Sequence, residues 1–174
     1  MTERPAATVG RAGVPRWLWP LLGVAAGALI WWQGAAVLRV DGDSMSPTYP
    51  NGSVVIVLRP GLDRWLGLRR EYRAGDLVIA DVPGGLSLKR VVAVGPAVVR
   101  LEAGRLSVGG EVVAPPYADR AGTGTTGPTE VAEGELYLLG DDRRPLASRD
   151  SRVFGPVDVA RVRGRVVAGF KAGG

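Results

Sequence analysis

Three segments of this 174-residue chain hold the side chains with which covalent chemistry could be done. The first is Asp41-Gly42-Asp43-Ser44-Met45-Ser46-Pro47-Thr48-Tyr49, a serine set among turn-forming residues. A serine hydroxyl becomes a useful nucleophile only when a base removes its proton. The chain has no His and no Cys. That excludes Ser-His-Asp and Cys-His catalysis, disulfides, and metal sites ligated by His or Cys. Proton transfer is left to carboxylates, Tyr, Ser or a lysine, and of the 22 basic residues only Lys89 and Lys171 are lysines.

The second segment, Leu86-Ser87-Leu88-Lys89-Arg90-Val91-Val92-Ala93-Val94, reads as a strand. Alternation puts Lys89 on the face of Ser87 and Val91, and Arg90 on the face of Leu88 and Val92. If the sheet packs on a core, one of the two points inward. A buried Arg stays charged, whereas desolvation lowers a buried Lys by up to ~3–5 pKa units and leaves a neutral amine able to act as a general base. Lys171, in Gly169-Phe170-Lys171-Ala172-Gly173, has no strand around it. The third segment runs from Gly140 to Val157 and offers hydroxyls to orient an amine, with Asp/Arg pairs to fix a loop's shape. On the residues alone these segments are equally a tight turn, an edge strand with two surface cations, and a charged surface loop.

The elements that would position them fall into two parts. Residues 1–16 are polar, with Arg4, Arg11 and Arg16 against Glu3. They lead into 22 uncharged residues, Trp17 to Leu38. About 20 apolar residues at ~1.5 Å each cross a ~30 Å hydrocarbon core, so this run is predicted to be a transmembrane anchor. It is longer than the ~7–15 apolar residues of a cleaved signal peptide. Tryptophans near both ends fit interfacial belts, and the preceding arginines predict a cytoplasmic N-terminus with the remainder exported. From residue 39 onward, short Val/Leu/Ile runs between Gly, Pro and Asp predict a mostly β domain through 174. The expected strands are Val37–Asp41, Ser53–Leu58, Asp76–Ala80, Leu86–Val94, Val98–Glu102, Leu106–Val108, Glu111–Val113, Glu135–Gly140 and Arg161–Val167. Residues 59–75 mix Trp65 and leucines with arginines, the composition either of a segment resting on anionic lipid or of a solvated insertion. Residues 114–134 read as a loop.

Together these segments resemble the bacterial type I signal peptidases, membrane-anchored serine proteases with a Ser/Lys dyad. The family's Ser-Met-x-Pro-Thr box is met by Ser44-Met45-Ser46-Pro47-Thr48. Its Arg-x-Gly-Asp box is met by Arg73-Ala74-Gly75-Asp76, and its Lys-Arg-Val-Val box by Lys89-Arg90-Val91-Val92. Its last box is met by Gly140-Asp141-Asp142-Arg143 and Ser148-Arg149-Asp150-Ser151-Arg152. The resemblance implies an antiparallel signal-peptidase-type β domain behind one N-terminal transmembrane helix. It implies Ser44 as nucleophile, Lys89 as general base, Ser148 as the hydroxyl that orients the lysine amine, and an Asp150–Arg152 pair holding the last loop. It further implies no cofactor or metal, cleavage after small residues in an Ala-x-Ala pattern, and preproteins, membrane lipid and the export translocon as partners. The location it implies is the outer face of the cytoplasmic membrane.

Three positions depart from the family pattern. Asp142 stands where the family has Asn, and Arg144-Pro145-Leu146-Ala147 is about two residues longer than the usual spacer. Gly42 occupies a position at which some members carry an oxyanion-binding serine, which leaves that task to backbone N–H groups such as that of Ser44. Ser44 lies 12 residues past Trp32, within about 40 Å of the membrane edge along an extended chain. A specialised maturation peptidase of the same superfamily and a non-catalytic, membrane-tethered β-domain are the alternatives. The uncharged span stands where self-cleaving Ser/Lys repressors have a DNA-binding motif. The scattered arginines form no basic, aromatic-rich nucleic-acid patch.

Overall fold

The computed structural model describes residues 15, 17–62, 67, 71–113 and 124–172. A helix, α1 (Leu18–Gly34), leads without a break into strand β1 (Ala35–Arg39). Then follow β2 (Val54–Leu58), β3 (Leu77–Val82), β4 (Gly85–Val94), β5 (Ala97–Glu102), β6 (Arg105–Val108), β7 (Glu111–Val113), β8 (Thr126–Val131) and β9 (Glu135–Leu139). A single helical turn, α2 (Ser151–Phe154), precedes β10 (Val157–Asp158), a 3-10 turn (Val159–Arg161) and β11 (Val162–Phe170).

All strand pairs are antiparallel, and they form two sheets among the described residues. The larger has the order β1-β2-β11-β3-β4-β9-β10 and the smaller the order β7-β6-β5-β8. The expected mostly β, antiparallel architecture is therefore present. Strand β9 contributes one face to each of two separate apolar clusters. Its even residues, Leu136 and Leu138, pack with Val78, Ala80 and Val91, while Tyr137 and Leu139 on the opposite face pack with Val99, Leu101 and Val131 of the small sheet. Both faces are apolar because both are covered. Burying each such side chain contributes about 1.5–3 kcal/mol.

A third cluster, Val40, Met45, Val55, Val57, Ile79 and Leu88, lies beneath the turn that carries Ser44. Met45 is fully buried, so the residue after Ser44 anchors the turn.

Several expectations are corrected. The uncharged run does not stay helical to Leu38: α1 ends at Gly34, and the backbone of Ala35–Arg39 instead pairs with Val54–Leu58 in a ladder. A lack of charge marks an apolar environment, not a conformation. No helix among the described residues is long and apolar enough to cross a membrane. The 114–134 stretch is not all loop, because Thr126–Val131 forms β8 despite Gly127 and Pro128. That strand lies at the edge of its sheet, where a proline's missing N–H is tolerated. Lys171 directly follows a strand, since β11 runs through Phe170. Residues 1–14, 16, 63–66, 68–70, 114–123 and 173–174 lie outside the described residues, and with them the N-terminal arginines, Trp65 and most of the arginines of the 59–75 segment.

Candidate active site

Ser44 sits in a turn closed at its base by two main-chain bonds, Val40 N–H to the Ser53 carbonyl (2.7 Å) and Gly52 N–H to the Val40 carbonyl (2.9 Å). Within it, Ser46 N–H donates to Asp43 O and Tyr49 N–H to Met45 O, which winds residues 43–49 into a helix-like coil. Gly42 has φ +89°, the region where glycine alone is unstrained. A serine there would be strained, so the Gly42 departure follows from the backbone. The turn is also clamped from outside: Gly42 N–H donates to Asn51 Oδ1 and Asn51 N–H to Asp43 Oδ1, each at 3.2 Å.

Strand β4 brings Lys89 to this turn. Its Nζ donates to Ser44 Oγ at 3.0 Å, and the lysine is 2% exposed. Burial pushes the ammonium below its ordinary value, because desolvation penalises the charged form. Asp150 and Asp141 act in the opposite sense, and Arg152 acts with the burial.

Arg90 is buried as well, so both basic neighbours point into the protein rather than one. Alternation places them on opposite faces, but β4 lies between β3 and β9 and is covered on both sides. Arg90 grips Asp141 with Nε (2.8 Å) and Nη2 (2.6 Å), and its Nη1 donates to the Gly75 carbonyl (2.9 Å). Nη2 also approaches Thr48 Oγ1 at 3.5 Å. One guanidinium thus links four chain segments, including the Ser44 turn and the Gly75 turn. The latter is tied to β4 by Gly75 N–H to Val91 O and Val91 N–H to Asp76 O.

The last motif wraps the other side. Asp150 accepts from Arg152 Nε and Nη2 (2.8 Å each) and from Gly140 N–H (3.0 Å), and it caps α2 by accepting from Arg152 N–H. The expected ion pair is present. Ser151, which the sequence did not single out, accepts from Leu138 N–H through its hydroxyl at 2.9 Å. Ser148 is buried, but its Oγ has no hydrogen-bond partner among the described residues, so the expected bond to the lysine amine is not made. The amine's bond goes to Ser44 instead. Ser148 packs over Gly140, where an added Cβ would lie 2.5 Å from Ser148 Oγ and 2.6 Å from the Ser44 carbonyl. The absent side chain at Gly140 is what lets Ser148 approach the Ser44 turn.

A cleft of about 270 Å³ opens beside Ser44, walled by the end of β1 at Leu38 and Val40 and the start of β4 at Leu86 and Leu88, over Val55 and Ile79. Asn51, Gly140, Asp141 and Ser151 support the site without having stood out as candidates. The signal that could have found Asp141 is its place in the last motif, since a buried Arg90 needs a buried carboxylate. Among the described residues no group of His, Cys, Asp and Glu is placed to hold a metal ion.

Residues 14–170 match the family model described as Signal peptidase, peptidase S26. Signal peptidase I of Bacillus licheniformis is 33% identical over 138 residues, covering 72% of this chain and 70% of that protein. Signal peptidase I T of Bacillus subtilis is 32% identical over 127 residues, covering 65% of this chain and 61% of that protein. A solved signal peptidase I from Enterococcus faecalis superposes with a TM-score of 0.48 at 23% identity, over 55% of this chain and 96% of the other. The class is that of a serine endopeptidase, a hydrolase of peptide bonds. Within that class the chain belongs to the signal peptidase family, peptidase S26. Its reaction is the removal of signal peptides, and its substrates are preproteins that carry them.

Proposed function

We propose that this signal peptidase is membrane-anchored and cuts preproteins after small residues by acyl transfer through a Ser44/Lys89 dyad. The observation that carries this reading is the 3.0 Å contact between Lys89 Nζ and Ser44 Oγ, made by a lysine that burial drives toward its neutral form. In the reactive state the direction of that bond reverses, and the Ser44 hydroxyl donates to the amine lone pair. Lys89 takes the proton as Oγ attacks the scissile carbonyl, whose electron pair moves onto oxygen. The Ser44 N–H is the first candidate to hold that oxyanion. The Lys89 ammonium then protonates the leaving nitrogen as the C–N bond breaks. Water, deprotonated by Lys89, attacks the acyl ester and frees Ser44. Asp150, Arg152 and Ser148 shape the wall behind the amine.

The cleft suits an extended peptide laid between the end of β1 and the start of β4, with its side chains facing Leu38, Ile79 and Leu88.

The proposed anchor is the segment around α1; the helix itself, 17 residues and about 26 Å at ~1.5 Å each, falls short of a ~30 Å hydrocarbon core. Trp17, Trp19, Leu21, Leu22 and Val24 are all at least half exposed, which suits a helix whose surroundings are lipid. Ser44 follows Gly34 by ten residues, so the nucleophile lies within about 35 Å of the helix end. With the arginine excess ahead of the helix, the reading puts the N-terminus in the cytoplasm and the β domain on the outer face, near the translocon.

The test compares detergent-solubilised wild type with Ser44→Ala, Lys89→Ala and Lys171→Ala on a preprotein bearing an Ala-x-Ala site. The first two variants are expected to lose cleavage, while the exposed Lys171 is dispensable. Retained cleavage by Lys89→Ala overturns the dyad. Extraction of the full chain from membranes by alkaline carbonate overturns the anchor.

A further inference from the structure

Asp142 is a completely buried carboxylate, and the backbone beside it is joined to the nucleophile: its N–H donates to the Ser44 carbonyl at 3.1 Å. The charge is held from two residues away. Arg144 gives Asp142 its main-chain N–H (3.1 Å to Oδ1), its Nε (2.9 Å to Oδ1 and 3.1 Å to Oδ2) and its Nη2 (2.5 Å to Oδ2). The guanidinium itself is 55% exposed, so it reaches in from the rim of the site while the carboxylate stays inside. Arg152 acts electrostatically on the same carboxylate from α2. Asp43, the residue before Ser44, acts on Arg144. The cation thus interacts with acids on both sides of the nucleophile's turn.

Surface ion pairs usually contribute little, because water screens them and two mobile side chains must be held still. This one differs in both respects. The carboxylate has already lost its water, and truncating Arg144 takes from it the guanidinium bonds of Nε and Nη2. The ring it closes is short, from Asp142 to Arg144, so few side-chain torsions are fixed. Arg144 is also the first residue of the spacer that is longer here than in the family pattern, and the spacer's tip at Leu146 turns outward with φ +63° and a fully exposed side chain.

We infer that Arg144 is a positioning residue: by neutralising the buried Asp142 carboxylate it fixes the 141–144 backbone, and through the Asp142 N–H it holds the Ser44 turn in register with Lys89. The inference rests on the Ser44/Lys89 reading and concerns where Ser44 is held, not what attacks.

The test is steady-state cleavage of a preprotein by the full-length enzyme, with kcat and KM measured separately. Misplacing a nucleophile by ~1 Å can lower the rate by ~100-fold. Arg144→Ala is expected to lower kcat by about tenfold with KM within about twofold, since the cleft is untouched. Asp142→Asn added to Arg144→Ala is expected to recover kcat to within about threefold of wild type, because a neutral amide needs no counter-charge and the residue keeps its N–H to Ser44. The inference is overturned if Arg144→Ala keeps its kcat while its Tm falls, which marks a purely structural pair. It is overturned equally if the double variant is as slow as the single one. A Ser44→Ala enzyme that still cleaves would instead overturn the nucleophile assignment, so the two failures are distinct.

Discussion

Lys89 and Arg90 are adjacent on one strand, both cationic by type and both buried, yet their surroundings treat them oppositely. Arg90 meets a carboxylate in a two-point grip, with a main-chain carbonyl taking a third donor. Lys89 meets a neutral hydroxyl, with its nearest acids acting at a distance. A buried guanidinium cannot shed its proton and must be compensated, whereas a buried amine without a bonded carboxylate is pushed toward neutrality. One face of β4 is therefore a structural clamp, and the other carries the amine that the proposed mechanism uses as its base. The lesson is that burial alone does not make a catalytic group. The bonded partner, or its absence, decides.

The sharpest way to break this contrast is to exchange the chemistry on the lysine face. Lys89→Arg keeps the charge and most of the length but offers no lone pair at any working pH. It is expected to be as inactive as Lys89→Ala, at least ~10³-fold below wild type. An active Lys89→Arg enzyme would show that the position supplies charge rather than a base. Next comes the clamp face. Arg90→Ala leaves Asp141 buried without its guanidinium and is expected to cost about 3–5 kcal/mol by chemical denaturation. Asp141→Asn should cost less if introduced together with Arg90→Met, since an uncharged pair removes the orphaned charge.

A smaller effect separates the faces by pH. The Lys89 amine binds its proton less readily in the folded chain than at the ordinary lysine value of 10.5. Below that value the unfolded chain holds the proton more tightly, so the buried amine opposes folding. The opposition is complete below the folded pKa and fades as pH rises toward 10.5. Two results follow with the same sign. Cleavage rises with pH through the folded pKa, as the base form grows. Lys89→Met, inactive, is more stable than wild type in acidic and neutral buffer, and its lead in Tm narrows on the alkaline side. A lead that widened with pH would contradict a lysine held toward neutrality.

These contrasts were partly legible in the sequence. The β-branched runs between Gly and Pro gave nine strands whose ends shift by only a few residues, because such runs suit a pleated surface whatever covers them. Alternation along residues 86–94 left either Lys89 or Arg90 as the inward residue, and it was the resemblance of the Lys-Arg-Val-Val box that pointed to Lys89. The burial of Arg90 was not legible, since alternation assumes one wet face and the second cover comes from Asp141 and Gly75, far away in the chain. The turn residues of β8 hid an edge strand, and α2 is one turn long, too short for any helical period to register. Nor does a sequence show that Ala35, still within an uncharged run, has already left the helix: that depends on β2, which follows much later.

The smallest expected effect concerns Ser148, and it bears on how the lysine face is finished. Its hydroxyl is buried with no hydrogen-bond partner among the described residues, an arrangement that costs stability rather than adding to it. Ser148→Ala removes that polar group, so the folded protein should be no less stable and slightly more so. If the hydroxyl is kept only to meet the amine once Ser44 has been acylated and its bond to Lys89 is broken, the same variant should slow turnover by about tenfold. Loss of rate with no loss of Tm is the outcome that separates a group held for the reaction from one held for the fold. A variant that loses both together would assign Ser148 to packing over Gly140.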